Sequence, residues 1–134
     1  MEFTPYLNFN GTCAAAFKFY EQVLGGKIEF LQTHGESPMK DHVPPDWRDK
    51  VIHACLNVDG KRLMGSDAPA EHYEPAQGMF INLQVPTTDE GKKLFHVLAD
   101  GGKITMPFAQ TYWSPGFGML TDRFGTPWMI NSAP

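Results

Sequence analysis

The chain has 134 residues, 42% of them hydrophobic and 19% charged, and a net charge of −4. That length suits one domain that buries about two-thirds of its unfolded surface without staples, and the composition excludes wholesale disorder. An acidic balance without a basic cluster excludes nucleic acid as the expected partner, and no apolar run approaches the roughly 18 residues of a membrane span.

Tyr6 to Phe9 reads as a short strand with Leu7 and Phe9 on an apolar face and Tyr6 and Asn8 on a polar one. Asn10-Gly11-Thr12 turns the chain into a helix over Cys13 to Leu24, where Ala16, Phe17, Tyr20, Val23 and Leu24 form a stripe at helical spacing. Gly25-Gly26 stops it. Lys27 to Thr33 is a second strand, with Ile28 and Phe30 alternating with charged neighbours. Residues 34–50, with Gly35, Pro38 and Pro44-Pro45, show no apolar period and mark a long loop, a lid, a hairpin tip or a subunit contact. Val51 to Val58 follows as a strand with His53, Cys55 and Asn57 on the face opposite Ala54 and Leu56. Asp59-Gly60 is a hairpin signal, and residues 62–66 return as a fourth strand.

After a linker over residues 67–78 the same order recurs. A strand at 80–85 leads to Thr87 and Glu90, a capping-box pair, and a helix carrying Leu94, Phe95 and Leu98. Gly101-Gly102 stops that helix, residues 103–106 are the next strand, and a loop with Tyr112 and Trp113 leads to a hairpin of 117–122 and 128–131. Leu7 and Leu83, Phe19 and Phe95, and Gly25-Gly26 and Gly101-Gly102 are each 76 residues apart, with no gap needed. The match of Leu63-Met64 to Trp128-Met129 is 65 apart, the difference falling in a shorter second loop. The sequence is a duplication.

Two β-α-β-β-β units, each with one helix on its apolar face, give an α+β fold whose sheets are expected to join into one curved mixed sheet around a cleft. At this point the chain resembles the vicinal oxygen chelate superfamily of glyoxalases, bleomycin-resistance proteins and dioxygenases. Within it, Pro5-Tyr6-Leu7-Asn8-Phe9, Leu63-Met64-Gly65-Ser66-Asp67-Ala68-Pro69 and the closing Asp122-Arg123-Phe124-Gly125 and Pro127-Trp128-Met129 resemble the PhnB-like branch. The resemblance implies a single domain made of modules 3–66 and 79–132. It also implies a homodimer.

Metal-dependent relatives hold their ion from the first and last strands of each unit. By the repeat register those positions are Thr4, Met64, Phe80 and Met129. None suits a hard divalent cation, so the expectation is no metal and no cofactor. A noncanonical metal site using His53 stays open as an alternative. Methyl transfer, a label some PhnB-like chains carry, finds no support, because both glycine pairs follow helices and none opens one.

The predicted strand faces line the cleft with Tyr6, Asn8, His53, Asn57, Ser66, Asn82, Gln84 and Asn131 over an apolar floor of Met64, Phe80 and Met129, with Trp113 placed to stack on a flat ligand. Neutral donors and acceptors around an apolar patch describe a small-molecule site. Imidazole is the side chain that titrates near neutrality in water, which makes His53 the candidate acid or base, with Tyr6 as a donor and Asp67 to orient the ring or bind a cation. Three readings compete: ligand sequestration without metal, an enzyme on a small metabolite, and a vestigial cleft in an assembly protein. Cys13 and Cys55 lack CxxC spacing and read as buried free thiols. Residues 1–5 lack the features of a signal peptide, so a cytoplasmic protein is expected.

Overall fold

A computed structural model of the chain describes residues 1–133, which form two compact units, one ending at Pro75 and one beginning at Ala76. The first holds β1 (Tyr6–Phe9), α1 (Cys13–Leu24), β2 (Lys27–Thr33), β3 (Val51–Val58) and β4 (Lys61–Asp67). The second holds β5 (Ile81–Val85), α2 (Thr88–Ala99), β6 (Lys103–Ala109), β7 (Phe117–Thr121) and β8 (Pro127–Ser132). Each unit is an open four-stranded mixed sheet, ordered β1-β4-β3-β2 and β5-β8-β7-β6. The first strand pairs in parallel with the last, and the other pairs are antiparallel. The helix carries the chain from one sheet edge to the other and covers one face, so each unit has a helix face and an open face.

Burial follows that division. In β4, Leu63, Gly65 and Asp67 are buried while Met64 and Ser66 are not, the alternation a one-sided sheet requires. From α1, Cys13, Ala16, Phe17 and Tyr20 are buried, and Phe17 packs edge-on to Phe9. A β-carbon at Gly65 would lie 2.9 Å from the Phe17 ring, and one at Gly118 would lie 2.6 Å from the Phe95 ring. Both helices therefore seat an aromatic residue on a sheet glycine.

The two halves of each glycine pair do different work. Gly25 and Gly101 have φ of 70° and 74°, the left-handed conformation that closes helices and favours glycine. Gly26 has no room for a side chain, since a β-carbon there would sit 2.6 Å from the Asn57 carbonyl oxygen. In the Asp59-Gly60 turn both residues have positive φ, 53° and 82°, as the tightest hairpin turns require.

Two expectations about register are corrected. The ungapped offset of 76 holds for β2 and β6, which begin at 27 and 103, but the helices begin at 13 and 88 and end at 24 and 99, an offset of 75. Ala16 and Tyr20 are accordingly replaced in the core by Gly91 and Phe95, while Phe19, the sequence match of Phe95, is only half-buried. Unit 2 has one residue fewer before its helix and one more, Asp100, after it. Second, Ile28 and Phe30 do not share a face. The register shifts between them, so that Ile28 opposes Leu56 and Phe30 opposes Cys55, and this β-bulge turns Phe30 to the open face. The same shift recurs between Ile104 and Met106.

The loop over residues 34–50 contains three 3-10 turns, His34–Glu36, Lys40–His42 and Pro45–Trp47. Its ends are tied by bonds from His34 N to Lys50 O, 2.9 Å, and Gly35 N to Arg48 O, 2.8 Å. The capping box is here, with Thr33 N and Oγ1 both donating to Glu36 Oε1. At α2 only half of the expected box forms, Glu90 N donating to Thr87 Oγ1.

Candidate functional site

The open face of unit 1 is organised by one cross-strand row. Tyr6 on β1 opposes Met64 on β4, Met64 opposes Cys55 on β3, and Cys55 opposes Phe30 on β2. His53, one step along β3, touches both ends of the row. Its ring lies 5.6 Å from that of Tyr6 at 21° and 5.7 Å from that of Phe30 at 45°. The Tyr6 hydroxyl is 3.1 Å from His53 Nδ1. Tyr6 and Phe30 are 50% and 46% exposed, so two large half-exposed rings flank a hydrogen-bonded imidazole. Asn8 opposes Ser66 beside them, and Asn57 accepts a hydrogen bond from Gly60 N within its own hairpin. Arg62, on the same face, is tied to Glu29 at 3.0 Å.

A pair of this kind has two states. With the phenol donating to Nδ1, the other ring nitrogen carries the proton and is a donor. With Nδ1 protonated, the phenol oxygen accepts and the outer nitrogen is an acceptor. The dyad thus presents either polarity to a ligand, and supplies a proton path between two side chains.

Asp67 does not join them. Its Oδ1 accepts from Cys13 N and its Oδ2 from Val51 N, both at 2.9 Å, and it is 6% exposed. The carboxylate faces the helix and ties the end of β4 to the starts of α1 and β3. The reason lies in strand alternation: Asp67 is in register with buried Phe9, so β4 runs one residue further than the sequence suggests and the linker begins after it. Burial pushes the nearby Cys13 thiol far above its ordinary range, and the Asp67 charge pushes it further.

In unit 2 the row equivalent to Tyr6-Met64-Cys55-Phe30 is Asn82, Met129, Met119 and Met106. Met64 and Met129 hold equivalent register positions, one opposing Tyr6 and the other Asn82. Beside this row three amides meet: Gln84 Oε1 accepts from Asn82 Nδ2 at 3.0 Å and from Asn131 Nδ2 at 2.9 Å. Asn131 Oδ1 is buried without a partner. Asn131 opposes Phe117, against which Trp113 stands at 5.3 Å and 66°, with Tyr112 against Trp113. Phe80, just before β5, is 40% exposed.

The candidate residues therefore fall into two groups, Tyr6, Asn8, His53, Met64 and Ser66 on the sheet of unit 1 and Asn82, Gln84, Met129 and Asn131 on that of unit 2, with Phe80 and Trp113 in the segments before β5 and β7. Sequence reasoning missed Phe30, Met106 and Phe117. The first two are turned outward by bulges, which leave no periodic signal, whereas Phe117 was legible as the cross-strand neighbour of Asn131.

The metal test gives no fit. Thr4, Met64, Phe80 and Met129 offer one hydroxyl, two thioethers and a hydrocarbon ring, unsuited to a hard cation. Among the described residues no group of three or more His, Cys, Asp or Glu gathers to hold a metal ion, and no helix is long and apolar enough to cross a membrane.

A family model described as Glyoxalase/Bleomycin resistance protein/Dioxygenase superfamily matches residues 5–130. Protein YjdN of Escherichia coli is 36% identical over 141 residues, which cover 98% of this chain and 95% of YjdN. The crystal structure of protein PA1353 from Pseudomonas aeruginosa superposes with a TM-score of 0.90 at 44% identity, covering 98% of this chain and 97% of that one. The structure of a PhnB protein from Bacillus cereus superposes at 0.85 with 27% identity, over 99% and 100% of the two chains.

Proposed function

The chain belongs to the Glyoxalase/Bleomycin resistance protein/Dioxygenase superfamily, and from that premise we propose that it is a PhnB-like protein that binds a small molecule without a metal ion. The observation that carries this reading is the Tyr6-His53-Phe30 platform, two half-exposed rings around one hydrogen-bonding imidazole. Rings so placed gain from covering by a flat partner. The ion pair of Arg62 with Glu29 disfavours an anionic ligand, because binding one there costs the existing pair. Loss of the usual metal set at Thr4, Met64, Phe80 and Met129 belongs to the same reading. So does a single functional domain built from both modules, with homodimers as the assembled form; Phe3 at 95% and Met79 at 77% exposure are surfaces that association would cover.

The test is a thermal-shift screen on chelator-treated protein, followed by ring resonances of Tyr6 and His53. A true ligand raises the melting temperature, moves those resonances, and is lost in Tyr6→Leu and His53→Ala. Ligands retained by both variants would refute the platform as the site.

A second reading is favoured by the 3.1 Å Tyr6–His53 contact: an enzyme in which His53 is general acid or base and Tyr6 relays the proton. Turnover of an identified substrate should then fall at least about a hundredfold in His53→Gln, with Tyr6→Phe altering the pH profile. Unchanged turnover in His53→Gln would remove that reading.

A further inference from the structure

The open face of unit 2 carries polar capacity that the fold does not use. Two amide donors converge on Gln84 Oε1, from Asn82 Nδ2 and Asn131 Nδ2, and this fixes which way the Gln84 amide points. Gln84 Nε2 is left as a donor and Asn82 Oδ1 as an acceptor, on two residues that share one face of β5 and are both exposed. On the neighbouring strand, in register with Gln84, Asn131 has its Oδ1 buried without a partner, a state that native interiors rarely leave unexplained. The side of this polar array is aromatic: Asn131 opposes Phe117, and Trp113, 52% exposed, stands edge-on against Phe117. The floor is thioether, Met129 opposing Asn82 and Met119 opposing Met129. All three amides are neutral.

We propose that this face is a site for an uncharged planar heterocycle with a lactam edge, an N–H beside a C=O. The lactam carbonyl accepts from Gln84 Nε2, the ring N–H donates to Asn82 Oδ1, the ring plane lies on Met119 and Met129, and Trp113 closes the remaining side. A hydrocarbon of the same shape forfeits both hydrogen bonds, and an anion meets no fixed positive partner among the three amides. The inference rests on the reading that the open faces hold a small molecule, and it adds the ligand class for the face of unit 2.

The experiment uses the full chain with two probes, lumazine and 1,3-dimethyllumazine, which share a ring system but differ in the ring N–H donors. Lumazine should shift the side-chain amide signals of Asn82, Gln84 and Asn131 in nitrogen-resolved NMR and quench the fluorescence of Trp113, the quench disappearing in Trp113→Phe. Dimethyllumazine should bind at least about tenfold more weakly, the equivalent of one lost hydrogen bond. Gln84→Glu replaces the outward donor by an acceptor at constant shape, and should weaken lumazine by a similar factor while the melting temperature stays within the range of the parent. Equal affinity for the two probes, an unaffected Gln84→Glu variant, or no binding of lumazine overturns the proposal. If lumazine leaves the amides unmoved while a compound from the chelator-treated screen moves Tyr6 and His53, the ligand class falls and the small-molecule reading stands.

Discussion

Replacing Asp67 should damage the fold, not a reaction. The carboxylate is 6% exposed and accepts two backbone N–H bonds at 2.9 Å, from the first residue of α1 and the first residue of β3. A hydrogen bond to a charged group contributes about 1.5–3 kcal/mol; Asp67→Ala removes two and leaves two buried donors unpaired, for a loss of about 3–5 kcal/mol. Asp67→Asn keeps one acceptor oxygen and turns an amide N–H toward the other donor, for about 2–3 kcal/mol. Unit 2 supplies an internal comparison. Ser132 stands at the equivalent end of β8, its hydroxyl 3.3 Å from Thr88 Oγ1 and 3.1 Å from Gly116 O, and the uncharged Ser132→Ala should cost only about 1 kcal/mol. Urea unfolding of the three variants, followed by circular dichroism, measures the order. A loss below about 1 kcal/mol for Asp67→Ala, set against these magnitudes, or a loss no larger than that of Ser132→Ala, would refute the assignment of Asp67 to the scaffold.

Other expectations follow from the same geometry. Gly118→Ala, which forces a β-carbon against the Phe95 ring and the Phe108 backbone, should cost about 1–3 kcal/mol, whereas Gly60→Ala, with open space but φ of 82°, should cost about 1 kcal/mol; a Gly118→Ala loss well below about 1 kcal/mol in chemical denaturation would contradict the packing of α2 on the sheet. Cys13 should resist alkylation in the native protein, because burial first and Asp67 second hold its thiol protonated. Since its folded pKa lies above the ordinary 9.0, this group's contribution to stability is complete below that value and declines as pH rises past it, when only the unfolded thiol ionises. Modification of native Cys13 as fast as of the denatured chain would exclude that environment. The Glu36 carboxyl is held below its ordinary range, chiefly by the Thr33 backbone N–H and then by its hydroxyl, so the cap is intact above the unfolded carboxylate value and opens as pH falls through the lowered one. An NMR titration of the Thr33 amide should give a midpoint below that of a free glutamate, and a midpoint at or above it would count against the cap.

Much of the scaffold is legible in the sequence because its signals are local. Helical spacing from Cys13 to Leu24, the glycine pairs and Asp59-Gly60 each act through the conformation of a few residues, and each element lies where they place it. What escapes is what depends on register. A one-residue bulge turns Phe30 outward without altering composition, and the paired deletion and insertion around α2 cancel, so an ungapped match equated Phe19 with Phe95. Asp67 was misassigned for a similar reason. An acidic residue at a strand end reads as exposed, and only the approach of Cys13 N and Val51 N makes its burial tolerable. The histidine was different: alternation along β3 sufficed to place His53 on the open face, but its contacts with Tyr6 and Phe30 come from two strands that are distant in sequence.

The claim that most needs measurement is ligand binding without metal. For a ligand found by its effect on the Tyr6 and His53 resonances, the dissociation constant should be measured by calorimetry twice, on protein treated with chelator and on protein saturated with a divalent cation. Equal constants are expected, with a stabilisation of about 2.7 kcal/mol when ligand exceeds its Kd by roughly a hundredfold. Binding that vanishes with the chelator and returns with the cation would contradict it.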